Sequence, residues 1–197
     1  MKESYPFDTD EINQLMRERR SVFPDQFSGE IIPQEIIEQL LENANWAPTH
    51  GLTEPWRFFV FSGEGLKKLG EFQSDLYKKL SGDDFDEKKY EKLRYKPLKA
   101  SHVIAIAMER QESGKIPEIE EIEAVACAVQ NIYLSATAYG LGGYWGSGGI
   151  TYKEEAKGFF GLGENDKLLG FFYLGIPTKK AGGGKRKPIA EKMTWIS

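Results

Sequence analysis

Four stretches of this chain carry residues able to grip an oxyanion or a flat polar ring. Arg19-Arg20-Ser21 sets two guanidinium groups and a hydroxyl side by side. Planar guanidiniums bind phosphate oxygens through charge-assisted hydrogen bonds, and a hydroxyl adds a contact for phosphate or polyol. At a helix end, the same residues also read as a solvated basic cap. The connection over residues 46–59 holds Trp46, His50, Trp56 and Arg57, with Phe58 and Phe59 just behind. A connection that only turned would favour small polar residues. This mixture suits a flat aromatic ligand with polar edges. His50 would donate to a ligand oxygen or ring nitrogen, or else bond its own loop. Residues 140–149 (GLGGYWGSGG) let a backbone approach a ring closely, with Trp145 and Ser147 as wall and hydrogen-bonding group. They read equally as a flexible turn between helices. Lys185-Arg186-Lys187 is a basic cluster in the tail, solvated unless the tail docks near a phosphate.

Other chemistries find no support. The glycine-rich stretch has Trp145 where a dinucleotide fingerprint needs its third glycine, and it follows a helix. It lacks the Gly-Lys-Ser/Thr of a P-loop. No Ser-His-Asp order, nucleophile elbow or reactive-cysteine context occurs. His50, His102 and Cys127 do not have metal-ligand spacing, so no metal site is expected. Cys127 reads as a small core residue of an apolar helix, and His102 as structural. With no catalytic side chain in view, the chain suits the positioning of a cofactor that carries the chemistry itself.

The composition fits that role. At 197 residues the chain is expected to form one domain, 1–197. A net charge of −4 argues against a nucleic-acid partner. No apolar run approaches the ~18 residues of a membrane span. With one cysteine and no apolar leader, a cytoplasmic location is expected.

The elements that must position these residues follow from periodicity. A first helix starts near Thr9 or Asp10 and ends about Arg19, with Ile12, Leu15 and Met16 on one face. A second follows Pro33 and stops before Pro48. Residues 57–61 read as a strand and 66–80 as a third helix. The charged segment 81–99 reads as an exposed helix or loop, where a lid would sit. Residues 103–108 are apolar without a break, as in a strand buried on both faces. A long helix with an apolar middle runs from 119 to about 136, and Gly140 is its natural stop. A short helix near 152–160 and a strand over 167–175 complete the pattern. The tail, 178–197, ends in Met193-Thr-Trp-Ile, as would an arm that docks on something. Helices and strands without regular alternation predict an α+β fold around one small sheet.

In this order and spacing, the motifs resemble the nitroreductase family of FMN-dependent oxidoreductases, closest to its short, minimal branch. The resemblance rests on Arg-Arg-Ser, Ala-Pro-x-His with Pro-Trp-x-Phe-Phe, Gly-Leu-Gly-Gly-x-Trp-x-Ser, and Gly-Phe-x-Tyr-Leu-Gly-x-Pro at 170–177. It implies a sandwich with a small mixed, mainly antiparallel sheet flanked by helices. It also implies an intertwined homodimer with FMN at the interface and the tail docked on the partner subunit. Arg19, Arg20 and Ser21 are similar to the phosphate and ribityl contacts, and His50 to a flavin contact. Trp145, Gly146 and Ser147 are similar to the wall of the site, and Arg186 or Lys185 to the C-terminal basic residue near the phosphate. Trp46 and Gly146 depart from a short-branch relative, which carries basic residues at both positions.

The resemblance implies hydride transfer from NADH or NADPH to flavin N5, then to a small-molecule acceptor such as a nitroaromatic or quinone. No catalytic side chain is expected beyond the flavin. A non-redox flavin-binding module on the same fold is the alternative. An interaction protein using the basic turn at residues 17–20 is a third.

Overall fold

The computed structural model describes residues 6–197. The chain enters α1 (Thr9–Glu18) through Asp8, whose carboxylate accepts the N–H groups of Asp10 and Glu11 at 2.9 and 3.1 Å. The helix thus begins at Thr9, as expected, with the oxygen side chain of Asp8 as its cap. The apolar stripe of Ile12, Leu15 and Met16 forms, yet no residue of α1 is buried. α2 (Gln34–Asn45) takes Pro33 as its N-cap and ends at Trp46, ahead of Pro48. Then come β1 (Trp56–Phe61), α3 (Glu64–Ser81), α4 (Glu87–Tyr95) and β2 (His102–Met108). α5 (Glu118–Ala138), β3 (Gly142–Gly146) and β4 (Lys167–Gly175) follow. The segment 81–99 is therefore α4 between two short 3-10 turns, Gly82–Asp84 and Pro97–Lys99.

The strands form one sheet in the order β1-β2-β4-β3. Every pair is antiparallel: Trp56 lies opposite Met108, His102 opposite Leu174, and Gly142 opposite Gly175. The expected mixed sheet is thus corrected: among the described residues the only parallel pairing is an isolated bridge between Ser21 and Gly143. β3 is also a correction, because residues 140–149 suggested a loop. Glycine weakens a strand by leaving nothing to pack, but neighbours fill the space here. A Cβ on Gly143 would lie 2.7 Å from the Phe172 ring, and one on Gly142 would lie 2.9 Å from Val22 and Phe27.

Alternation along the inner strands splits the core in two. Ile104, Ile106, Met108, Phe172 and Leu174 face α2 and α5; Val103, Ala105, Phe171 and Tyr173 face α3. β2 is buried at every position, as its unbroken apolar run predicts. Trp56 is buried beside α2, its Nε1 donating to Asn45 at 3.0 Å; Phe58 and Phe59 are partly buried on opposite faces. His102 is structural: Ser101 Oγ lies 2.9 Å from its Nδ1 and accepts Ile32 N–H at 2.8 Å.

The long helix corrects another expectation. Val125, Ala128, Val129 and Ile132 are buried, but Cys127 is exposed. A helix apolar nearly all round has here only one side covered. Just past β2, Arg110 pairs through its NH1 with Glu121, which is 1% exposed. Its NH2 donates to the Ile116 carbonyl at 2.6 Å and its backbone N–H to Asp166 at 2.8 Å. This clasp ties the loops after β2 and before β4 to the first turns of α5.

Candidate functional site

The edge strand β3 organises the site. Segment 19–23 runs along its free edge, with Val22 N–H donating to Gly143 O at 2.9 Å and Ser21 bridged to Gly143. On the α5 side of the edge, the Arg19 guanidinium lies 4.9 Å from the Tyr133 ring centre. On the other side, Phe23 packs on Tyr144 at 4.5 Å between centroids. Arg20 donates Nε to Gly182 O at 3.2 Å, which draws the tail against this edge. Gly184 packs so closely on Arg20 that a Cβ there would lie 2.7 Å from its Cζ. Lys185 and Arg186 follow directly, and Arg186 donates NH1 to the Lys185 carbonyl at 2.8 Å. A cavity of about 450 Å³ lies here, lined by Arg20, Val22, Leu141 and Lys180.

The structure thus brings Arg19, Arg20, Ser21 and the start of the 182–186 tail to the strand that carries Trp145 and Gly146. Trp145 itself is anchored, not open: its backbone N–H donates to Tyr133 OH at 2.8 Å, and its Nε1 donates to Leu169 O at 3.2 Å. Gly146 is half-buried and Ser147 exposed just beyond it.

Trp46 and His50 make their contacts elsewhere. Trp46 is 79% exposed, and its Nε1 donates to Glu42 one turn back at 3.1 Å. His50 sits in a short turn, with Nδ1 2.6 Å from Glu120 Oε2 in the first turn of α5. The carboxylate suits the positive end of that helix and holds one ring nitrogen of an exposed imidazole. Arg57 drops out of the site, since it forms a two-pronged pair with Glu109 at 2.8 Å for each bond.

Lys96 was not anticipated. It follows α4 and is half-buried beside β3, its Nζ 4.6 Å from the Tyr144 ring and 4.3 Å from the Tyr173 ring. Burial, with a smaller contribution from Lys92, lowers its pKa from 10.5 to about 8. Lys96 lines two adjoining cavities. One, of about 210 Å³, includes Phe23, Pro24 and Tyr144; the other, about 300 Å³, includes Gly146, Gly148 and Gly149. Together they form a cleft between segment 21–25, α4 and the end of β3. A signal existed in the sequence: Lys89, Lys92, Lys96 and Lys99 repeat at helical spacing.

The cations around β3 share one property. Among the described residues, Arg19, Arg20, Lys92 and Lys96 form no salt bridge with a carboxylate. Asp25, paired with Lys99, lines the smaller of the two cavities, but the larger, edged by glycine backbone and aromatic rings, holds Lys89, Lys92 and Lys96 and no carboxylate, which fits a flat ligand bearing anionic oxygens. Among the described residues no group of three His, Cys, Asp or Glu side chains is placed to hold a metal. Nor is any helix there long and apolar enough to cross a membrane.

Comparison with known proteins identifies the family and the fold. The profile of the Nitroreductase family matches residues 16–176. YdjA of Escherichia coli K12, provisionally named an NAD(P)H nitroreductase, is 35% identical over 147 residues. That match covers 75% of this chain and 79% of YdjA. A solved nitroreductase-like family protein from Bacillus cereus superposes with a TM-score of 0.80 at 29% identity, covering 100% of this chain and 99% of that one. A nitroreductase with bound FMN from Bacteroides fragilis shares the fold, with a TM-score of 0.69 at 23% identity, covering 96% and 100%.

Proposed function

The chain belongs to the nitroreductase family, and from that premise we propose that it is an FMN-dependent oxidoreductase. It takes hydride from NADH or NADPH and passes electrons to a nitroaromatic, quinone or similar acceptor. FMN, when bound, supplies the hydride-accepting and hydride-donating chemistry at N5. The chain's own residues bind, orient and bias. Arg19, Arg20 and Ser21 hold phosphate and ribityl oxygens, with Lys185 or Arg186 brought near by the tail packed on Arg20. Gly146 and Ser147 offer backbone and hydroxyl at the ring. Lys96 contributes positive charge in a site of low polarity, where it favours the electron-rich state of a bound ring. No side chain of the cleft is placed as a nucleophile, and a single cleft serving donor and acceptor in turn predicts ping-pong kinetics.

The observation that carries this reading is that, among the described residues, Arg19, Arg20 and Lys96 lie around β3 without a salt bridge to a carboxylate. Buried or clustered cations are costly unless something neutralises them, and a phosphorylated flavin would.

A homodimer completes the proposal. α1 has an apolar stripe with no buried residue, Cys127 on α5 is uncovered, and Trp46, Leu52, Trp195 and Ile196 are each more than three-quarters exposed. A second copy would cover these surfaces and bring the partner's His50 and Trp46 toward the site. Sedimentation at micromolar concentration should then give twice the mass of one 22.3 kDa chain.

The decisive experiment is the spectrum of freshly purified protein. A yellow protein with a flavin band near ~450 nm that bleaches under anaerobic NADPH or NADH supports the redox role. Bound FMN that never bleaches would leave a flavin-binding module instead. A colourless protein that takes up no added FMN would end the reading.

A further inference from the structure

The cleft continues past Lys96 along one face of α4. Lys89, Lys92 and Lys96 all line the 300 Å³ cavity, at the spacing that stacks side chains on one helical stripe. Lys89 also borders, with Gly149, a neighbouring cavity of about 220 Å³. Lys96 is half-buried at the inner end, whereas Lys89 and Lys92 are exposed at the mouth. None of the three meets a carboxylate in a salt bridge among the described residues. Lys89 instead sits over the Tyr77 ring at 4.5 Å, and Asp84 lines the neighbouring cavity without pairing with it. A second observation concerns the cavity wall. Gln73 is 2% exposed, lines the same cavity, and its Nε2 has no hydrogen-bond partner. No carboxylate lines that cavity. Three like charges around one hollow repel each other, and a ligand rich in anionic oxygen would offset that charge and offer the amide an acceptor.

We propose that Lys89 and Lys92 select the second ligand of this site by an oxyanion, a phosphate or carboxylate carried on or beside its flat ring. This rests on the reading above, in which Lys96 serves the cofactor at the inner end. The mouth then belongs to the molecule that enters and leaves at each half-reaction. A 2′-phosphate on the nicotinamide donor and a carboxylate on the aromatic acceptor present the same chemistry, and both are within the site's logic.

The test titrates oxidised holoenzyme with benzoate and with benzyl alcohol at low salt, following the perturbed flavin band. Benzoate is expected to bind about tenfold more tightly, the scale of one or two screened charge contacts. The doubly substituted Lys89→Met, Lys92→Met protein should lose that preference. Lys88→Met removes the same charge from an exposed position that lines none of these cavities, and should keep it. NADP⁺ and NAD⁺ titrations on the same proteins separate the sources. A preference for NADP⁺ that the double substitution abolishes assigns the oxyanion to the donor; an acceptor-only preference assigns it to the acceptor. Equal binding of charged and neutral members of both pairs in the unsubstituted holoenzyme would overturn the proposal, as would a preference that survives in the double variant. Both outcomes leave FMN binding intact, whereas protein that takes up no FMN fails the cofactor reading first.

Discussion

Arg110 and the pair Arg19 and Arg20 stand near opposite ends of β4, and their surroundings differ completely. Arg110 is enclosed: Glu121, the Ile116 carbonyl and the Asp166 carboxylate receive its side-chain and backbone donors. Arg19 and Arg20 meet a ring, backbone carbonyls and the tail, and Glu18, which lines one cavity with Arg20, pairs with Lys180 instead. The same guanidinium is architecture in one place and an unfilled binding group in the other. What separates them is the presence of a carboxylate, since a buried charge with a matched partner is silent toward ligands. Lys157 and Lys96 repeat the contrast. Lys157 is buried and donates to Glu164 O at 2.8 Å beside Glu154 at 2.5 Å. Lys96 has aromatic rings, a lowered pKa and only the weak pull of Asp25, with which it forms no salt bridge.

The largest effect should come from breaking the filled cluster. Glu121→Ala strands Arg110 in a buried site and should cost about 3–5 kcal/mol of stability in urea unfolding, with FMN affinity of the folded fraction unchanged. A loss below about 1 kcal/mol would mean that the clasp is no better compensated than the site. Next, Arg19→Ala with Arg20→Ala should weaken FMN binding by about 1.5–3 kcal/mol, the worth of hydrogen bonds to a charged group. The unfolding midpoint should barely move, and a large fall in stability with unchanged FMN affinity would reverse the assignment.

Lys96 sharpens the comparison through pH. Its folded pKa of about 8 lies below the ordinary 10.5, so the unfolded chain holds the proton more tightly between those values. Stability contributed by this group therefore rises as pH climbs from about 8 to 10.5. Over the passage through about 8 the apoprotein loses its cleft cation, so FMN affinity should fall there. Lys96→Met should flatten that part of the profile, and a wild-type affinity that is level across it counts against a cationic role. The smallest effect belongs to the exposed pair of His50 and Glu120. Glu120→Gln should change stability by no more than about 1 kcal/mol. It should still shift the His50 ring-nitrogen resonances, which are simple to assign because His102 is the only other histidine. Unmoved resonances would show that Glu120 does not hold the ring.

Much of the fold was legible because its signals are local. The run at 103–108, the stripe from Ile36 to Ala44 and the stop at Gly140 each depend on neighbours within a few residues. The strand at β3 was not legible, because its glycines are tolerated only through Val22, Phe27 and Phe172, all far away in sequence. Cys127 misled for a related reason: composition tells that a helix is apolar all round, not how many sides one chain covers.

The site divides in the same way. The sequence alone determined the family pattern and the residue types at 19–21, 48–50 and 145–147, since these are short motifs whose order survives without a structure. Which cations are spent was decided by tertiary contact. Arg20 reaches a carbonyl 162 residues away, and Arg57 is taken up by Glu109. Lys96 is turned against β3 by a helix that looked like charged surface. A charge's role depends on what lies within a few ångströms of it, and folding sets those distances between residues that are remote along the chain.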